Sequence, residues 1–509
     1  MSTTTHSSVQ PAPGPRAGAR QWAGLVVLML PVLLVAVDNT VLSFALPSIS
    51  ASLQPSGTAL LWIIDIYPLV LAGLLVPMGS LADRFGRRRL LMLGSAGFAA
   101  TSVLAAYSPN AETLIGARTL LGLFGAMLMP STLSLLRHLF PHREQRRLAV
   151  AVWATGWAGG AALGPIVGGV LLERFWWGSV FLLAVPVLGL LLVLGPVLLP
   201  ESRDPAPGRV DPVSIALSML AMLPLVYGIK SLAHHGLSGG AVSWSALGVA
   251  AGVAFVQRQL DRPDPMLDVR LFRTGAFSGA VAVNLLSVFS LVGFLFFTSQ
   301  HLQLVLGLSP MDASYVLVPG LAAMVLAGLA VVPLVRYVHP SKVVAGGLLL
   351  AGLGYATVMV VGEHASAPAL MLAFVILAIG IGSAETLSND LVVSTVPAPR
   401  AGAASAISET AYEVGAVLGT AVLGSILTAS YRSSVQVPTA LSSADASAAS
   451  ETLGGASAVA AELPARQAEL LMESARQAFD SGVVLTSGIG VAFMVVAAAV
   501  ALRSLRNAS

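Results

Sequence analysis

Five ionisable residues stand inside apolar stretches of the chain. Asp38 lies near the middle of Trp22 to Pro47, Asp65 early in 58–80, Arg118 inside 110–136, and Glu409 and Glu413 four residues apart within 402–429. A helix rises about 1.5 Å per residue and a hydrocarbon core is about 30 Å thick, so a helical Asp38 sits well below either membrane interface. Charge is costly there. Such groups usually face a bundle interior or wet cavity and mark an ion or substrate path, the alternative being a structural ion pair. The chemistry on offer is reversible protonation and the pairing of carboxylates with cations.

Glu409 and Glu413 share a helix face, and two acids so close in a low dielectric are expected to titrate as a unit. A lipophilic cation is a natural substitute for the proton, with Tyr412, Phe44, Trp62 and Trp153 available for cation–π contact. Asn39 and Thr40 extend a polar face beside Asp38. Counted along their helices, Asp38, Asp65 and Arg118 fall at similar depth, which suggests a charge network while leaving open which acid Arg118 meets. Glu385 and Asp390 are further polar sites. Asp312, near the start of 309–335, reads either as attracting substrate or as a surface residue.

Composition dictates what must position these groups. With 56% hydrophobic residues, 10% charged and no cysteine among 509 residues, and a mean hydropathy of +0.84, the chain is an all-α polytopic membrane protein. Apolar runs at 22–47, 58–80, 90–108, 110–136, 147–172, 177–199, 210–232 and 240–257 are followed by others at 275–303, 309–335, 341–361, 366–396, 402–429 and 481–503, fourteen in all. Sorting the loops alternately to two sides places nearly all Arg on one of them. The other side collects only Arg174, Lys230, Arg432, Arg466 and Arg476. The asymmetry predicts both termini in the cytoplasm. Residues 1–21 read as a disordered cytoplasmic tail. The loop 430–480 falls on the outer side, where Ala468, Leu471, Met472, Ala475 and Phe479 predict a short external helix. His138 and His142 lie in an Arg-rich loop, where topology or lipid contact is favoured over metal, and the net charge of +3 speaks for orientation rather than nucleic acid. Only Lys230 and Lys342 among the basic residues are lysines, a bias that suggests a GC-rich bacterial genome.

Two glycine patterns complete the set. Gly79-Ser-Leu-Ala-Asp83-Arg84-Phe-Gly86-Arg87-Arg88-Arg89 joins the second and third runs. Its glycines allow close packing and a turn, and Asp83 is placed to bond helix-end amides or a neighbouring Arg, latching two helices. In the fifth run Gly156, Gly160, Gly164 and Gly168 recur every four residues, with Pro165 and Gly169 among them, a face that lets a second helix approach. Ala411, Gly415 and Gly419 echo the spacing.

Together with Arg118, Gly122 and Gly125 and with Asp38-Asn-Thr-Val-Leu-Ser-Phe-Ala-Leu-Pro47, these motifs resemble the major facilitator superfamily, and within it the fourteen-span drug:proton antiporter branch close to exporters of quaternary ammonium compounds and cationic dyes. The resemblance implies two six-helix bundles, 22–200 and 275–509, with two inserted transmembrane helices in 201–274. It implies a proton-coupled multidrug efflux antiporter of a bacterial inner membrane that exports lipophilic cations by alternating access. The proton gradient would drive it without a cofactor, nucleic acid or obligate protein partner, and a monomer would suffice. Asp38, Asp65, Glu409 and Glu413 are then the acids for proton and cation. Gly79, Asp83, Arg84, Gly86, Arg87 and Arg88 are the conformational gate, and Gly160, Gly164, Pro165, Gly168 and Gly169 the antiporter helix.

Other readings make distinguishable demands. An ATP-driven pump needs a phosphate-cradling loop, and neither lysine has the spacing for one. A membrane-embedded hydrolase finds a formal match in Gly236-Leu-Ser238-Gly-Gly240, but without the strand and helix that such an elbow requires. An exporter of an endogenous metabolite or siderophore calls for a basic cavity, whereas the acids above predict an acidic one.

Overall fold

A computed structural model describes residues 16–203, 211–263, 265–362, 365–396, 401–438 and 441–506. The expected tail lies outside them as far as residue 15, as does 204–210 of the expected linker. Among the described residues there is helix and no strand. The helices are α1 Ala19–Leu53, α2 Gly57–Phe85, α3 Arg87–Ala106, α4 Ala111–Leu139, α5 Arg143–Arg174, α6 Ser179–Leu182, α7 Ala184–Leu198, α8 Pro212–His235, α9 Gly239–Asp261, α10 Gly275–Gln300, α11 Pro310–Leu334, α12 Pro340–Val361, α13 Ala367–Ser394, α14 Ala401–Leu418, α15 Ser425–Ser434, α16 Ser443–Glu451, α17 Leu453–Ala461 and α18 Ala465–Ser504. Thirteen stretches among the described residues are long and apolar enough to cross a membrane. The 32-residue α5 stands where the remaining expected span falls.

Local sequence sets the starts of these helices. Ser56, Asn110, Ser238 and Ser309 accept bonds from Ala59, Thr113, Ala241 and Asp312 amides at 3.1, 2.8, 3.2 and 3.1 Å, satisfying donors that lipid would leave bare. The serine of the hydrolase-like pattern is thus occupied in capping α9. One expectation fails: the stretch after Pro464 is no separate external helix, because nothing breaks it before the last apolar run and α18 continues unbroken for 40 residues. Two shorter helices, α16 and α17, occupy the loop instead.

The glycine ladders carry the closest helix pairs. A Cβ at Gly160 would lie 2.9 Å from the Leu33 carbonyl oxygen, and one at Gly168 2.8 Å from Val41 Cγ2, so α5 lies against α1 at a separation that only absent side chains allow. The echo holds in space: Cβ atoms at Gly415 and Gly419 would each collide with a carbonyl oxygen of α10, from Leu285 and Phe289. One apolar core is drawn from Leu25 to Leu199, a second from Leu271 to Leu505 with Phe44, Leu46, Leu60 and Leu61.

Hydrogen bonds between these two groups of helices cluster at the ends away from the Arg-rich loops. Ser299 and Gln303 donate to the carbonyls of Ser43 and Phe44 at 2.8 and 3.2 Å. Ser314 Oγ donates to the Pro165 carbonyl at 2.5 Å, and the Gly57 amide to Glu451 at 3.0 Å. The hairpin α8–α9 lies beside α2, with Gly73 making room for Met219. At its base Asp211 meets Arg258 at 3.0 Å and Arg262 at 2.9 Å, and the bond from Arg258 holds the Asp211 carboxyl well below the usual carboxylate range.

Candidate functional site

A cavity of about 190 Å³ lies between the two groups of helices. Asn39, Thr40 and Ser43 come to it from α1, Ile64, Asp65 and Pro68 from α2, and Arg118 from α4. Facing them are Val288, Leu291, Val292, Leu295 and Phe296 of α10, Met324 of α11, Glu385 of α13, and Tyr412, Glu413, Ala416 and Thr420 of α14 and the π-helical turn after it. One wall is therefore apolar, while three carboxylates from three helices reach the same space.

Arg118 resolves the network that sequence left open. Its Nη1 lies 2.9 Å from Asp38 Oδ2, both side chains being buried. Nε donates to the Ile63 carbonyl at 3.1 Å, and the guanidinium rests 4.6 Å from the Tyr67 ring centre. Asp38 consequently does not line the cavity: it turns toward Phe98, Ser102 and Phe181 in a small crevice behind it. The ion pair wins because a bare carboxylate at that depth would forgo solvation with nothing in return.

Asp65 is not part of that pair. Its partner is Lys230, whose Nζ stands 2.9 Å from Asp65 Oδ2 with both side chains 1% exposed. Sorting Lys230 with the outer loops was wrong: it sits within α8, and the ammonium also lies 3.9 Å from the centre of the Trp62 ring. The rule that singled out Asp38, an ionisable residue within an apolar run, points equally to Lys230. Trp62 thus serves this lysine and does not line the cavity.

The acids of α13 and α14 are placed differently. Glu413 and Glu385 line the cavity, and neither has an ion-pair partner among the described residues. Glu409 lies one turn nearer the Arg-rich end, half-buried and outside the lining. Beside it a polar cluster ties three helices: Asn284 donates to Ser408 at 2.8 Å, Ser388 donates to Asn284, and Ser408 donates to Asn389 at 3.1 Å.

Several expected residues lie elsewhere. Phe44 is packed in the core at 1% exposure. Trp153 donates to Thr132 at 3.3 Å and is not in the lining. Asp390 is exposed. Asp312 is exposed too, accepting a bond from Ser309 Oγ at 2.9 Å as part of the cap of α11, which favours its surface reading. A second buried pair that sequence missed, His301 with Asp480 at 3.0 Å, joins the turn after α10 to α18 away from the cavity.

The gate motif is a clasp on α7. Asp83 takes the neighbouring Arg87 at 2.7 Å, while the helix-end amide of Arg88 goes to Glu201 Oε1 at 3.1 Å and that of Arg87 to the Ser202 carbonyl at 3.0 Å. Arg88 Nη1 caps the Leu199 carbonyl at 2.9 Å. Gly86 holds φ +112°, a conformation that favours glycine, and a Cβ there would push against the Glu201 carboxylate. Gly79 packs near Pro130, and Arg84 is exposed. In α5, Gly164 and Gly168 face α1, whereas Gly169 and the Pro165 carbonyl face Met311 and Ser314 of α11. The antiporter-helix residues therefore span both groups of helices.

The family model of the Major Facilitator Superfamily matches residues 28–434. The chain is 54% identical over 485 residues, 95% of its length and 96% of the relative's, to the "Multidrug efflux pump LfrA" of Mycolicibacterium smegmatis. It is 37% identical over 465 residues, 90% of its length and 93% of the relative's, to the "Methyl viologen resistance protein SmvA" of Salmonella typhimurium. Among solved structures, a bacterial homolog to the human lysosomal transporter Spinster, crystallised inward-facing and unoccupied, superposes with a TM-score of 0.65 at 18% identity, covering 96% of this chain and 99% of that one. These relatives are transporters, not enzymes.

Proposed function

The chain belongs to the Major Facilitator Superfamily, and from that premise we propose that it is a proton-coupled multidrug exporter of lipophilic cations. The observation that carries this reading is the cavity between the two groups of helices, in which Asp65, Glu385 and Glu413 face an apolar wall and the basic residue Arg118 is already paired. A buried carboxylate needs a positive partner, and a proton and a cation compete for that place. Tyr412 offers a ring beside Glu413 for a delocalised charge. An acidic cavity suits a cation and disfavours an anionic metabolite or siderophore. The relatives named for multidrug efflux and for methyl viologen resistance support the same choice.

The cycle follows from where the bundles touch. Bonds between them lie at the ends away from the Arg-rich loops, and with those loops in the cytoplasm this form opens inward. A cation enters from the cytoplasm, displaces a proton from Glu413 or Glu385, and leaves after the helices rock about the site. We assign the six-helix bundles to 22–200 and 275–509, the inserted pair to 201–274, and the protein to a bacterial inner membrane. The test is proton release on addition of ethidium, and of a matched anion panel, to purified protein, followed by ethidium movement in proteoliposomes with and without a pH gradient. Release provoked by anions and not by cations would overturn the reading.

A further inference from the structure

Lys230 has no role in the cycle just described, yet it occupies the chemistry that cycle needs. The residue comes from α8, a helix of the hairpin held at its base by Asp211, and it reaches into the main bundle to end 2.9 Å from Asp65 and 3.9 Å from the Trp62 ring centre. An acid and an aromatic face are the two contacts that a lipophilic cation would make. Trp62 is backed by Tyr227 at 6.4 Å, and Tyr227 by Trp244 at 5.5 Å, so the ring column belongs to the hairpin side. Asp65 itself also opens to the cavity. Beyond the ion pair, the lysine nitrogen makes no hydrogen bond among the described residues. This is unusual for a group so deeply buried. The ammonium is thus held by charge and ring alone, on a flexible four-carbon stem.

Resting on the cation-export reading, we propose that Lys230 is a specificity-determining residue, a tethered cation that sets how much positive charge the cavity accepts. Its ammonium neutralises Asp65. A substrate cation approaching Asp65 from the cavity side must share that carboxylate with a charge that cannot diffuse away. A delocalised monocation gains enough from the apolar wall to do so, whereas a second charge on the substrate meets the ammonium beside Asp65 in a low dielectric and has only Glu385 and Glu413, across the cavity, to offset it. The inserted hairpin is then a selectivity element, and its length of chain serves to deliver one ammonium to one acid.

Ethidium and propidium test this, since they share a ring system and differ by one positive charge. Fluorescence anisotropy on the purified full chain gives the affinity ratio of the two dyes. In K230Q, propidium is expected to tighten at least about 10-fold more than ethidium, a close charge–charge contact having been removed. K230R should keep the wild-type ratio. D65N leaves the ammonium without its acid and should shift the ratio the opposite way, so the proposal remains testable even if K230Q does not fold. A ratio unchanged in both K230Q and D65N, with both proteins folded, would overturn the proposal while leaving cation export standing. Dyes that bind neither wild type nor any variant would overturn the cationic reading itself and this inference with it.

Discussion

In helices 22–200 each acid near the cavity has a cation at 2.9 Å, Asp38 with Arg118 and Asp65 with Lys230. In helices 275–509 Glu385 and Glu413 line the same cavity without one among the described residues. The difference assigns different work to chemically similar groups. A paired acid is neutral as a unit and costly to separate, so it holds geometry, and a cation reaches it only by sharing it with the fixed partner. An acid without a fixed partner must be neutralised by something that can come and go, and the exchangeable candidates are a proton and the cargo.

The largest expected effect comes from breaking the fixed side. Arg118→Met leaves Asp38 buried and bare, and should abolish export and lower stability by about 3–5 kcal/mol. Asp38→Asn strands the guanidinium and should be nearly as harmful. The double variant D38N/R118M should regain most of the thermal stability without regaining export. Thermal unfolding in detergent and dye efflux on the same preparations separate the two effects. If D38N alone is as stable as wild type, the pair is not structural.

Breaking the exchangeable side should do the reverse. Glu413→Gln mimics the protonated acid, so the fold should survive while gradient-driven ethidium export falls at least about 10-fold, an effect of the size expected when a proton-transfer group is lost. Glu385→Gln should follow with a smaller loss, and Glu409→Gln, outside the lining, with the smallest of the three. Equal, full export in all three would erase the contrast between the two groups of helices.

A third change leaves both kinds of acid alone. Gly86→Ala places a side chain at φ +112° and against Glu201, at a cost of about 1–3 kcal/mol. It should loosen the clasp between α3 and the end of α7 and slow the exchange of access, read by single-cysteine labelling in this cysteine-free chain. Unaltered labelling rates at both mouths would mean that the clasp does not govern alternation.

How much of this was legible in sequence follows from the range of each interaction. The spans were readable because lipid forces each backbone group into a helix, so apolar length is nearly decisive. The packing of α5 on α1 was readable because glycines four apart can only be one face. The partner of Arg118 was not, since Asp38 and Asp65 fall at the same depth and only rotation about the helix axes separates them. Lys230 was hidden for a simpler reason: it falls two residues from the end of its apolar run, and counting by loops assigned it to water. The unbroken α18 could have been read, because no proline follows Pro464 before the last span.

Asp312 gives the smallest effect and sharpens the contrast from outside it. Its charge is answered by its own helix: Ser309 donates to it at 2.9 Å and accepts from its amide at 3.1 Å, a local cap at the start of α11. An exposed acid in a first turn interacts favourably with the helix dipole by a few tenths to about 1 kcal/mol, screened by salt. Asp312→Asn should therefore cost less than about 1 kcal/mol and leave the export rate of ethidium unchanged at physiological ionic strength. Initial efflux rates at low and at physiological salt decide the matter. A loss of export confined to low salt would restore Asp312 as a group that draws cations to the mouth, whereas equal rates at both leave it a cap.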